Sequence, residues 1–461
     1  MIAVPGFKDR KVAVLGLARS GCAAVAALKA GGAEVLAWDD SEKTRAALAD
    51  EIAFSDPAQI DWRQVAALML SPGIPHSFPK PHPAATSARA AGVPIIGDIE
   101  LLGRAQPETR YIGVTGTNGK STTTALIGHI LATAGKTVEI GGNLGPPALG
   151  LKPLGGEGTY ILEMSSFQLE LVTTLVFDIA VLLNITPDHL DRHGDMDGYI
   201  AAKKRIFARQ ADGCAAIIGV DDAICRDIAE TLSRDSAARV VPISVLEPVA
   251  GGVYVADGWL IDALDDVSKR VFDLAGAPRL PGSHNAQNAA AAYAVARQAG
   301  LMPEEAIAGI RTFPGLAHRQ ELVDTIDGVR YINDSKATNA DATEKALACY
   351  EAIYWIAGGL PKAGGITSLA PYFARLRHAF LIGNATGEFA ATLEGKVAYT
   401  SCGDLATAVA TASDRARGEH ASGAVVLLSP ACASYDQFPN FEVRGDTFRS
   451  LVAGLPGAHP R

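Results

Sequence analysis

The stretch from residue 111 to residue 124 constrains this chain more than any other, because an apolar segment leads there into a glycine-spaced turn, a lysine and four hydroxyl residues. Gly116 and Gly119 let backbone N–H groups point into the turn without a Cβ in the way. A helix that begins near Lys120 adds unpaired amides and the positive end of its dipole. Such a strand, turn and helix predict a phosphate site, in which Lys120 reaches the β- and γ-phosphates of ATP.

The predicted phosphate loop is shorter than the common one. The pattern G-x-x-x-x-G-K-[ST] needs a glycine five positions before Gly119, and this chain has Val114 there. A glycine-rich turn whose hydroxyls only cap a helix is therefore the alternative, although the strand before it and the amphipathic helix 125–134 after it favour a nucleotide. The residues predicted to hold ATP are Gly116, Thr117, Asn118, Gly119, Lys120, Ser121 and Thr122, with a hydroxyl of Ser121 or Thr122 on Mg²⁺.

Length and composition limit what else the chain can be. Its 461 residues are too many for one ordinary core, so two or three domains are expected. The net charge of −9 argues against a nucleic-acid surface, which needs clustered Lys and Arg. The 6 cysteines form no C-x-x-C pair, and no apolar run reaches the roughly 18 residues of a membrane span. We therefore expect a cytoplasmic protein with reduced cysteines and no membrane span, and a monomer by default.

The first 40 residues predict a βαβ unit. Residues 11–15 and 34–38 have the apolar pattern of strands, a glycine turn over 16–21 and a helix over 22–30 lie between them, and Asp39 follows the second strand. The turn lacks the middle glycine that lets the diphosphate of NAD approach the backbone. Another nucleoside diphosphate is therefore the favoured ligand, and NAD is the alternative.

Two strands of the middle segment carry polar residues at their ends. Glu163 ends the strand 160–163, and the strand 179–183 leads to Asp188 and His189. Since the carboxyl ends of parallel strands meet at one edge of a sheet, we expect these side chains beside the phosphate loop. A carboxylate there can hold Mg²⁺ or orient its waters, with a solvated surface glutamate as the alternative.

Two helices of the same segment carry further polar residues. Asn285 and Asn288, one helical turn apart, are spaced to present their amides to an adenine edge. The consecutive cations at 203–205 have, on composition alone, the character of a solvated helix face. Residues 313–319 then begin a last segment, in which strands again alternate with helices. The chain is therefore predicted to be an α/β protein with domains at 1–100, 101–315 and 316–461.

With these motifs in place, the chain resembles the Mur ligases, the ATP-dependent amino-acid ligases of peptidoglycan precursor synthesis. The resemblance covers essentially the whole length in the same order. Stretches general to the family are 115–122, Glu163, 184–189, 284–285 and 318–319. Stretches more typical of the members that add D-glutamate are 163–170 (EMSSFQLE), 333–339 (NDSKATN) and 428–442.

The resemblance implies three domains. They are an N-terminal Rossmann-like domain for a UDP moiety, a central P-loop-type ATPase domain with a mainly parallel sheet, and a C-terminal Rossmann-like domain that brings the amino acid. It also implies catalytic roles for Lys120, Glu163, His189, Lys203 and Arg319. Lys203 is expected to be carbamylated, which would turn a cation into an anionic ligand of Mg²⁺.

The resemblance further implies where the ligands bind. Besides the phosphate loop, ATP is expected to contact Asn285, Asn288, Arg319, Asp334 and Lys336. Two Mg²⁺ ions are expected on Ser121, Glu163, His189 and Lys203. Two small-molecule substrates, UDP-N-acetylmuramoyl-L-alanine and D-glutamate, are expected to contact Gly16, Asp39, Ser71, Asn143, Ser165, His189, Thr338, Lys362, Ser434 and Phe441.

The implied activity is ADP-forming addition of D-glutamate through an acyl phosphate, a step of cell-wall biogenesis on which cell shape and division depend. The alternatives are a related ligase for L-glutamate or another amino acid, a nucleotide-binding dehydrogenase or sensor, and a phosphotransferase or switch ATPase. Two positions depart from the family pattern. Asp39-Asp40-Ser41 stands where relatives often have Asp-Thr-Arg for the uracil, and Leu360-Pro361 precedes Lys362 where an acid is usual.

Overall fold

The computed structural model describes residues 1–362 and 364–459. These residues form a mixed α/β protein with three mainly parallel sheets of four, nine and six strands. The chain packs into two compact units: unit 1 is Met1–Gly276 with Asn285–Phe313, and unit 2 is Ala277–His284 with Pro314–Arg461. No helix within the described ranges is long and apolar enough to cross a membrane.

The first sheet of unit 1 is parallel, with the strand order β2-β1-β3-β4. Its strands are β1 (Lys11–Leu15), β2 (Glu34–Trp38), β3 (Val65–Leu70) and β4 (Ile95–Ile96). Its helices are α1 (Arg19–Ala30), α2 (Glu42–Ala47), α3 (Pro83–Ala90) and α4 (Asp98–Ala105). Leu15 pairs with both Trp38 and Leu70, so the loops that follow these three strands begin side by side at one edge.

The second sheet of unit 1 has the order β13-β12-β11-β10-β9-β8-β5-β7-β6. Its strands are β5 (Arg110–Thr115), β6 (Val138–Gly142), β7 (Thr159–Glu163), β8 (Ile179–Leu182), β9 (Ala215–Gly219), β10 (Arg239–Ser244), β11 (Gly252–Ala256), β12 (Trp259–Ala263) and β13 (Lys269–Asp273). Its helices are α5 (Lys120–Thr133), α6 (Ser166–Glu170), α7 (Leu190–His193), α8 (Met196–Lys204), α9 (Ala223–Asp235), α10 (Ser283–Gln298) and α11 (Pro303–Thr312). The strands from β5 to β11 pair in parallel, and β12 and β13 extend the sheet as antiparallel strands.

Helix α5 is held tightly between this sheet and α11. A Cβ on Gly128 would lie 2.2 Å from Ile140 on β6, and a Cβ on Gly309 of α11 would lie 2.6 Å from the Cα of Ile130. Only glycine therefore permits the close approach on either side of the helix. Because α5 begins at Lys120, this packing fixes the position of the predicted phosphate loop.

The sheet of unit 2 has the order β14-β15-β19-β16-β17-β18, and all its pairs except β14 with β15 are parallel. Its strands are β14 (Glu321–Ile326), β15 (Val329–Asn333), β16 (Ala352–Gly358), β17 (Leu376–Ile382), β18 (Tyr399–Gly403) and β19 (Ala424–Leu428). Its helices are α12 (Ala340–Leu347), α13 (Thr386–Leu393), α14 (Leu405–Glu419) and α15 (Phe441–Ala453). Both faces are buried, since Ile353 and Trp355 of β16 join one apolar cluster and Tyr354 joins the other.

The prediction of an α/β protein with mainly parallel sheets is confirmed. Predicted strands agree with observed ones to within a few residues. Helix α1 begins at Arg19 instead of residue 22, since the amide of Cys22 already donates to the carbonyl of Ala18 (3.0 Å). The six cysteines are free, with Cys225 and Cys432 buried and the others half-buried. Each predicted domain contains one sheet, but the division at 100 and 315 stays a prediction.

Glu100 of α4 connects the two sheets of unit 1. Its buried carboxylate accepts hydrogen bonds from the backbone amides of Thr173 (2.8 Å) and Thr174 (2.9 Å), and from Nε of Arg104 (2.9 Å). Burial alone would raise the pKa of this carboxyl, but the hydrogen bonds from Thr174 and Thr173 lower it to about 2. The carboxylate therefore stabilises the fold at neutral pH.

We predict that Glu100→Gln lowers the free energy of unfolding by about 1–3 kcal/mol, because buried donors lose a charged acceptor. Urea unfolding measures this loss, and Glu157→Gln, at an exposed position, is the matched control. Since the pKa of Glu100 is lower when folded, its stabilising effect is complete above its ordinary value of 4.5 and disappears as the pH falls through about 2. A difference between wild type and Glu100→Gln that persisted unchanged down to that pH would contradict this origin.

Candidate active site

The predicted phosphate loop closes around the ammonium group of its own lysine. Gly116 and Gly119 have φ angles of +151° and +86°, and a Cβ on Gly119 would lie 2.4 Å from Oδ1 of Asn288. Nζ of Lys120 donates to the carbonyl oxygens of Gly116 (2.9 Å) and Thr117 (2.8 Å). The loop is therefore a small cradle with a cation inside, which fits a phosphate group.

Residues that follow β8 form the second wall of this loop. The carbonyl of Asn184 accepts from the amide of Thr117 (2.9 Å), and Oδ1 of Asn184 accepts from the amide of Asn118 (2.8 Å). The hydroxyl groups of Thr117 and Tyr199 lie 3.1 Å apart. Tyr199 is thus a part of the site that the sequence did not single out for a role.

Glu163 lies at the end of β7, as predicted, and its side chain is buried. Oε1 accepts a hydrogen bond from Nδ2 of Asn143 (2.7 Å), whereas the buried Oε2 has no hydrogen-bond partner within residues 1–362 and 364–459. A buried carboxylate oxygen without a donor fits a cation, and Mg²⁺ prefers such oxygen ligands. No group of three or more His, Cys, Asp or Glu side chains is spaced to hold a metal within those ranges. Of the four predicted metal ligands, only Glu163 and His189 are His, Cys, Asp or Glu residues.

Lys203 of α8 is buried, so the composition-based expectation of a solvated face is wrong for this residue, while Lys204 and Arg205 are exposed. Its Nζ donates to the carbonyl of Gly116 (2.8 Å). Burial, and after it the charge of Lys120, lowers the pKa of Lys203 to about 7. The lowered pKa favours the neutral amine, which is the nucleophilic form.

His189 precedes α7 and has a left-handed backbone with φ of +51°. Its ring packs against the ring of Phe167 at a centroid distance of 5.0 Å, and Nε2 lies 3.4 Å from Oδ2 of Asp188. Half of the side chain remains exposed. The imidazole is thus held at the strand edge, where it lines a cavity.

A cavity of about 750 Å³ joins the strand ends of the two sheets of unit 1. It brings together eight of the predicted site residues: Gly16, Asp39, Ser71, Lys120, Asn143, Ser165, His189 and Lys203. Side chains lining it that the sequence did not assign to the site are Arg19, Asp40, Ser166, Phe167, Gln168 and Tyr199. One cavity with the phosphate loop at one end and the first βαβ unit at the other suits an elongated anionic ligand.

Asp39 and Ser71 shape the glycine turn of the first sheet. Oδ2 of Asp39 accepts from the amide of Leu17 (2.6 Å) and Oδ1 from the amide of Ser41 (2.9 Å). The hydroxyl of Ser71 donates to the carbonyl of Gly16 (2.8 Å). Both oxygens of Asp39 are thus engaged in holding the turn.

Arg19 and Asp40 add charge to this end of the cavity. Arg19 donates to the carbonyl of Gly145. The carboxylate of Asp40 is held by Nε1 of Trp38 (3.1 Å) and lies 2.9 Å from Nε2 of His82. Two signals in the sequence point to these residues: a cation inside a glycine turn, and the departure from Asp-Thr-Arg after β2.

Asn285 and Asn288 lie behind the phosphate loop. Nδ2 of Asn288 donates to Oδ1 of Asn285 (3.0 Å), and Oδ1 of Asn288 accepts from the hydroxyl of Thr123 (3.1 Å). Both side chains are buried. Contact of these amides with adenine stays a prediction.

In unit 2, Arg319 is presented by a strained turn. His318 and Gln320 on either side of it have φ angles of +61° and +44°. The carboxylate of Asp334 accepts from the amide of Gln320 (3.1 Å) and from the hydroxyl of Ser429 (2.8 Å). Burial raises the pKa of Asp334 to about 7. Nε of Arg319 is buried without a hydrogen-bond partner in the described part of the chain, as suits a cation that binds an anion.

The residues predicted to contact D-glutamate lie on neighbouring loops of unit 2. A bridge between Leu360 and Ala433 brings the loop of Lys362 beside Ser434. The hydroxyl of Ser335 donates to the carbonyl of Phe441 (2.8 Å), which fixes the start of α15 near Thr338. Arg444, missed from the sequence, is buried and donates to the carbonyls of Ser335 (2.9 Å) and Cys432 (3.1 Å).

Comparisons with known proteins extend over the whole chain. The family described as the Mur ligase middle domain matches residues 114–296, and the Mur ligase glutamate ligase domain matches residues 318–432. The UDP-N-acetylmuramoylalanine--D-glutamate ligase of Paramagnetospirillum magneticum is 54% identical over 98% of this chain and 98% of its own. The enzyme of the same name from Rhodospirillum rubrum is 52% identical, over 99% and 96% of the two chains.

The chain belongs to the Mur ligase family. The family predicted from the sequence is thus confirmed, as is the prediction that the chain is an ADP-forming carbon–nitrogen ligase. Among solved structures, the UDP-N-acetylmuramate-alanine ligase of Thermotoga maritima is similar with a TM-score of 0.57 and 17% identity, over 95% of this chain and 98% of its own. At that identity the likeness concerns the fold alone.

Membership of the Mur ligase family removes two alternatives. A dehydrogenase built on the first βαβ unit and a switch ATPase are both excluded, because the relatives match from end to end and are ligases. The roles of individual residues stay predictions.

We predict that Gly119→Ala weakens the binding of ATP at least about tenfold, or about 1.4 kcal/mol, because its Cβ would clash with Asn288 and distort the phosphate loop. Gly135→Ala is the matched control, since Gly135 also has a positive φ, +76°, but no atom lies within 4 Å of its Cβ position. Calorimetric titration with ATP and Mg²⁺ measures the effect. Equal affinities of the two variants would contradict the assigned role of the loop.

Proposed function

We propose that this chain adds D-glutamate to UDP-N-acetylmuramoyl-L-alanine with conversion of ATP to ADP and phosphate, as a step of peptidoglycan precursor synthesis. The observation that carries the proposal is the 47 to 54% identity, over nearly the whole chain, to relatives named UDP-N-acetylmuramoylalanine--D-glutamate ligase. The cavity of unit 1, with Lys120 at one end and the glycine turn at the other, supports it.

The three sheets support the proposed organisation into three domains. Residues 1–100 form a Rossmann-like domain for the UDP moiety, residues 101–315 a P-loop-type ATPase domain, and residues 316–461 a Rossmann-like domain for the amino acid. In each segment the parallel strands have their carboxyl ends at one sheet edge, where α/β proteins bind ligands. A cytoplasmic monomer is the proposed working form.

The residues proposed to hold two Mg²⁺ ions are Ser121, Glu163, His189 and a carbamylated Lys203. The buried Oε2 of Glu163, which lacks a donor in the described ranges, and the pKa of Lys203 of about 7 support this set. When bound, Mg²⁺ neutralises charge on the phosphates and on the transferring phosphoryl group. The protein's contribution is to hold these ligands at the ends of strands and on helices that meet at one edge of the sheet.

In the first step the alanyl carboxylate attacks the γ-phosphorus of ATP, the bond to the bridging oxygen breaks, and ADP leaves. Two anions must approach each other, and Lys120 and Arg319 are the cations proposed to offset that repulsion. The product, an acyl phosphate, hydrolyses in water. The site must therefore exclude solvent before the second substrate reacts.

In the second step the amine of D-glutamate attacks the acyl carbon and phosphate leaves with the electrons of the broken C–O bond. The attacking nitrogen must lose a proton, and His189, held against Phe167 at the cavity, is the proposed acceptor. Thr338, Lys362, Ser434 and Phe441 are proposed to bind D-glutamate. The ammonium of Lys362 suits one of its carboxylates.

We predict that the purified protein with ATP, Mg²⁺ and UDP-N-acetylmuramoyl-L-alanine releases ADP rapidly only when D-glutamate is added. A coupled assay of ADP with D-glutamate, L-glutamate and no amino acid measures this dependence. Release with L-glutamate alone would keep the ligase chemistry and overturn the amino-acid assignment. Release with neither amino acid would overturn the proposed function.

We predict that Lys203→Ala lowers kcat about a hundredfold or more, because a ligand of the proposed metal site is lost. Short carboxylates such as formate should restore part of the rate. Lys204→Ala, the exposed neighbour on the same helix, should stay within about twofold of wild type. In ¹³C-bicarbonate, ¹³C NMR should show a carbamate carbon in Lys204→Ala and none in Lys203→Ala, and its presence in both would contradict the modification of Lys203.

A further inference from the structure

A series of hydrogen-bonding side chains that the proposed reaction does not use runs from the first sheet of unit 1 to the cavity. We call it the Glu170 series. Its contacts are Arg89 Nη2 to His76 Nδ1 (2.8 Å), His76 Nε2 to Glu170 Oε2 (3.2 Å), Glu170 Oε1 to His193 Nδ1 (3.3 Å) and His193 Nε2 to Ser166 Oγ (2.9 Å). Ser166, its last member, lines the cavity.

The direction of each hydrogen bond follows from the arginine at the far end. A guanidinium group only donates, so Nδ1 of His76 accepts from Arg89. In a neutral imidazole Nε2 then carries the hydrogen, and it donates to Oε2 of Glu170. Arg89 therefore sets the tautomer of His76.

The same reasoning continues on the other side of the carboxylate. Burial would raise the pKa of Glu170, but the hydrogen bond from His76 and the charge of Arg192, 3.3 Å away, lower it, so the group is ionised and only accepts. The hydrogen of His193 therefore lies on Nδ1, which faces this carboxylate. Nε2 is left with a lone pair, and it accepts the hydroxyl hydrogen of Ser166.

Packing keeps His193 in this orientation. Its side chain is only 1% exposed, and its ring lies 5.5 Å from the rings of both Phe167 and Tyr199. The guanidinium carbon of Arg192 lies 5.2 Å from the centroid of the Phe167 ring. Because the hydroxyl hydrogen of Ser166 is committed to His193, its oxygen can only accept a hydrogen bond from a molecule in the cavity.

We propose that Ser166 binds the amide N–H of the L-alanyl group of the UDP-linked substrate, and that His193 and Glu170 are positioning residues that keep its oxygen an acceptor. This inference rests on the proposed function. The alanyl N–H is the substrate donor next to the carboxylate that must reach the γ-phosphate, which Lys120 is proposed to hold, and Ser166 lines the same cavity as Lys120. A substrate with an oxygen in place of this N–H would set two acceptors against each other.

The test compares UDP-N-acetylmuramoyl-L-alanine with its ester analogue, in which oxygen replaces the alanyl N–H. Calorimetric titration without ATP measures Kd for wild type, Ser166→Ala, His193→Phe and the double variant. Ser233→Ala is the matched control, because among the described residues this serine bonds within α9, to the carbonyl of Ala229 (2.9 Å). Melting temperatures verify that each variant is folded.

We expect wild type to bind the amide substrate about tenfold more tightly than the ester, and Ser166→Ala to bind the two about equally. His193→Phe should lose part of this preference, and the double variant should be no worse than Ser166→Ala, because His193 acts through Ser166. The comparison of Ser166→Ala with wild type, each titrated with the amide and the ester, requires no change at His193. It therefore tests the role of Ser166 even if His193→Phe does not fold.

Two results would overturn the inference. One is a Ser166→Ala variant that still prefers the amide as wild type does. The other is a Ser166→Ala variant whose KM rises for D-glutamate while its Kd for the UDP-linked substrate is unchanged. Failure of wild type to bind UDP-N-acetylmuramoyl-L-alanine at all would instead overturn the proposed function.

Discussion

The carbonyl oxygen of Gly116 accepts hydrogen bonds from two lysines, Lys120 at 2.9 Å and Lys203 at 2.8 Å. Two ammonium groups on one oxygen repel each other, and in a buried place that repulsion is poorly screened. It is one reason why the pKa of Lys203 is about 7. A phosphate bound between them would relieve the repulsion, and a carbamate on Lys203 would replace one of the two cations with an anion. The phosphate loop, α8 and the edge of β7 are arranged around this pair.

Two carboxyl groups that are both shielded from solvent have pKa values shifted in opposite directions. Glu100 faces backbone amides of residues 173 and 174, and its pKa is about 2. Asp334 has fewer donors to compensate for its burial, and its pKa is about 7. The charge state therefore depends on the balance between burial, which is deeper for Asp334, and the donors that face the carboxylate, which are more numerous at Glu100. One carboxyl fixes the fold, and the other lies beside the turn that presents Arg319.

Much of the candidate site could be predicted from the sequence, because glycines and strand ends leave strong local patterns. Gly116, Gly119, Glu163 and His189 lie at the predicted strand edge for that reason. The burial of Lys203 beside exposed Lys204 could not be derived from composition, since three consecutive cations look alike until tertiary packing selects one helix face. The resemblance to the Mur ligases, and not the composition, distinguished Lys203 from its two neighbours.

Other parts of the site depend on contacts between residues far apart in the sequence. Asp40 contacts His82, and Arg444 joins Ser335 to Cys432. The spacing of residues along the sequence does not predict these contacts. The antiparallel strands β12 and β13 are likewise not predicted from the sequence. They lie at the end of the sheet, away from the strands that carry the predicted motifs. What the sequence leaves open is therefore the choice of partners across loops.

The close packing of α5 has a consequence for how the enzyme tolerates change. Gly128 lies eight residues from Lys120, or about 12 Å along the helix, and Gly309 belongs to another helix altogether. Neither residue belongs to the phosphate loop. A methyl group at either position would nevertheless displace α5, the helix that continues directly from the loop. Positions intolerant of substitution should therefore form a continuous track that leads from the nucleotide site down α5 and onto α11, through residues that contact no ligand.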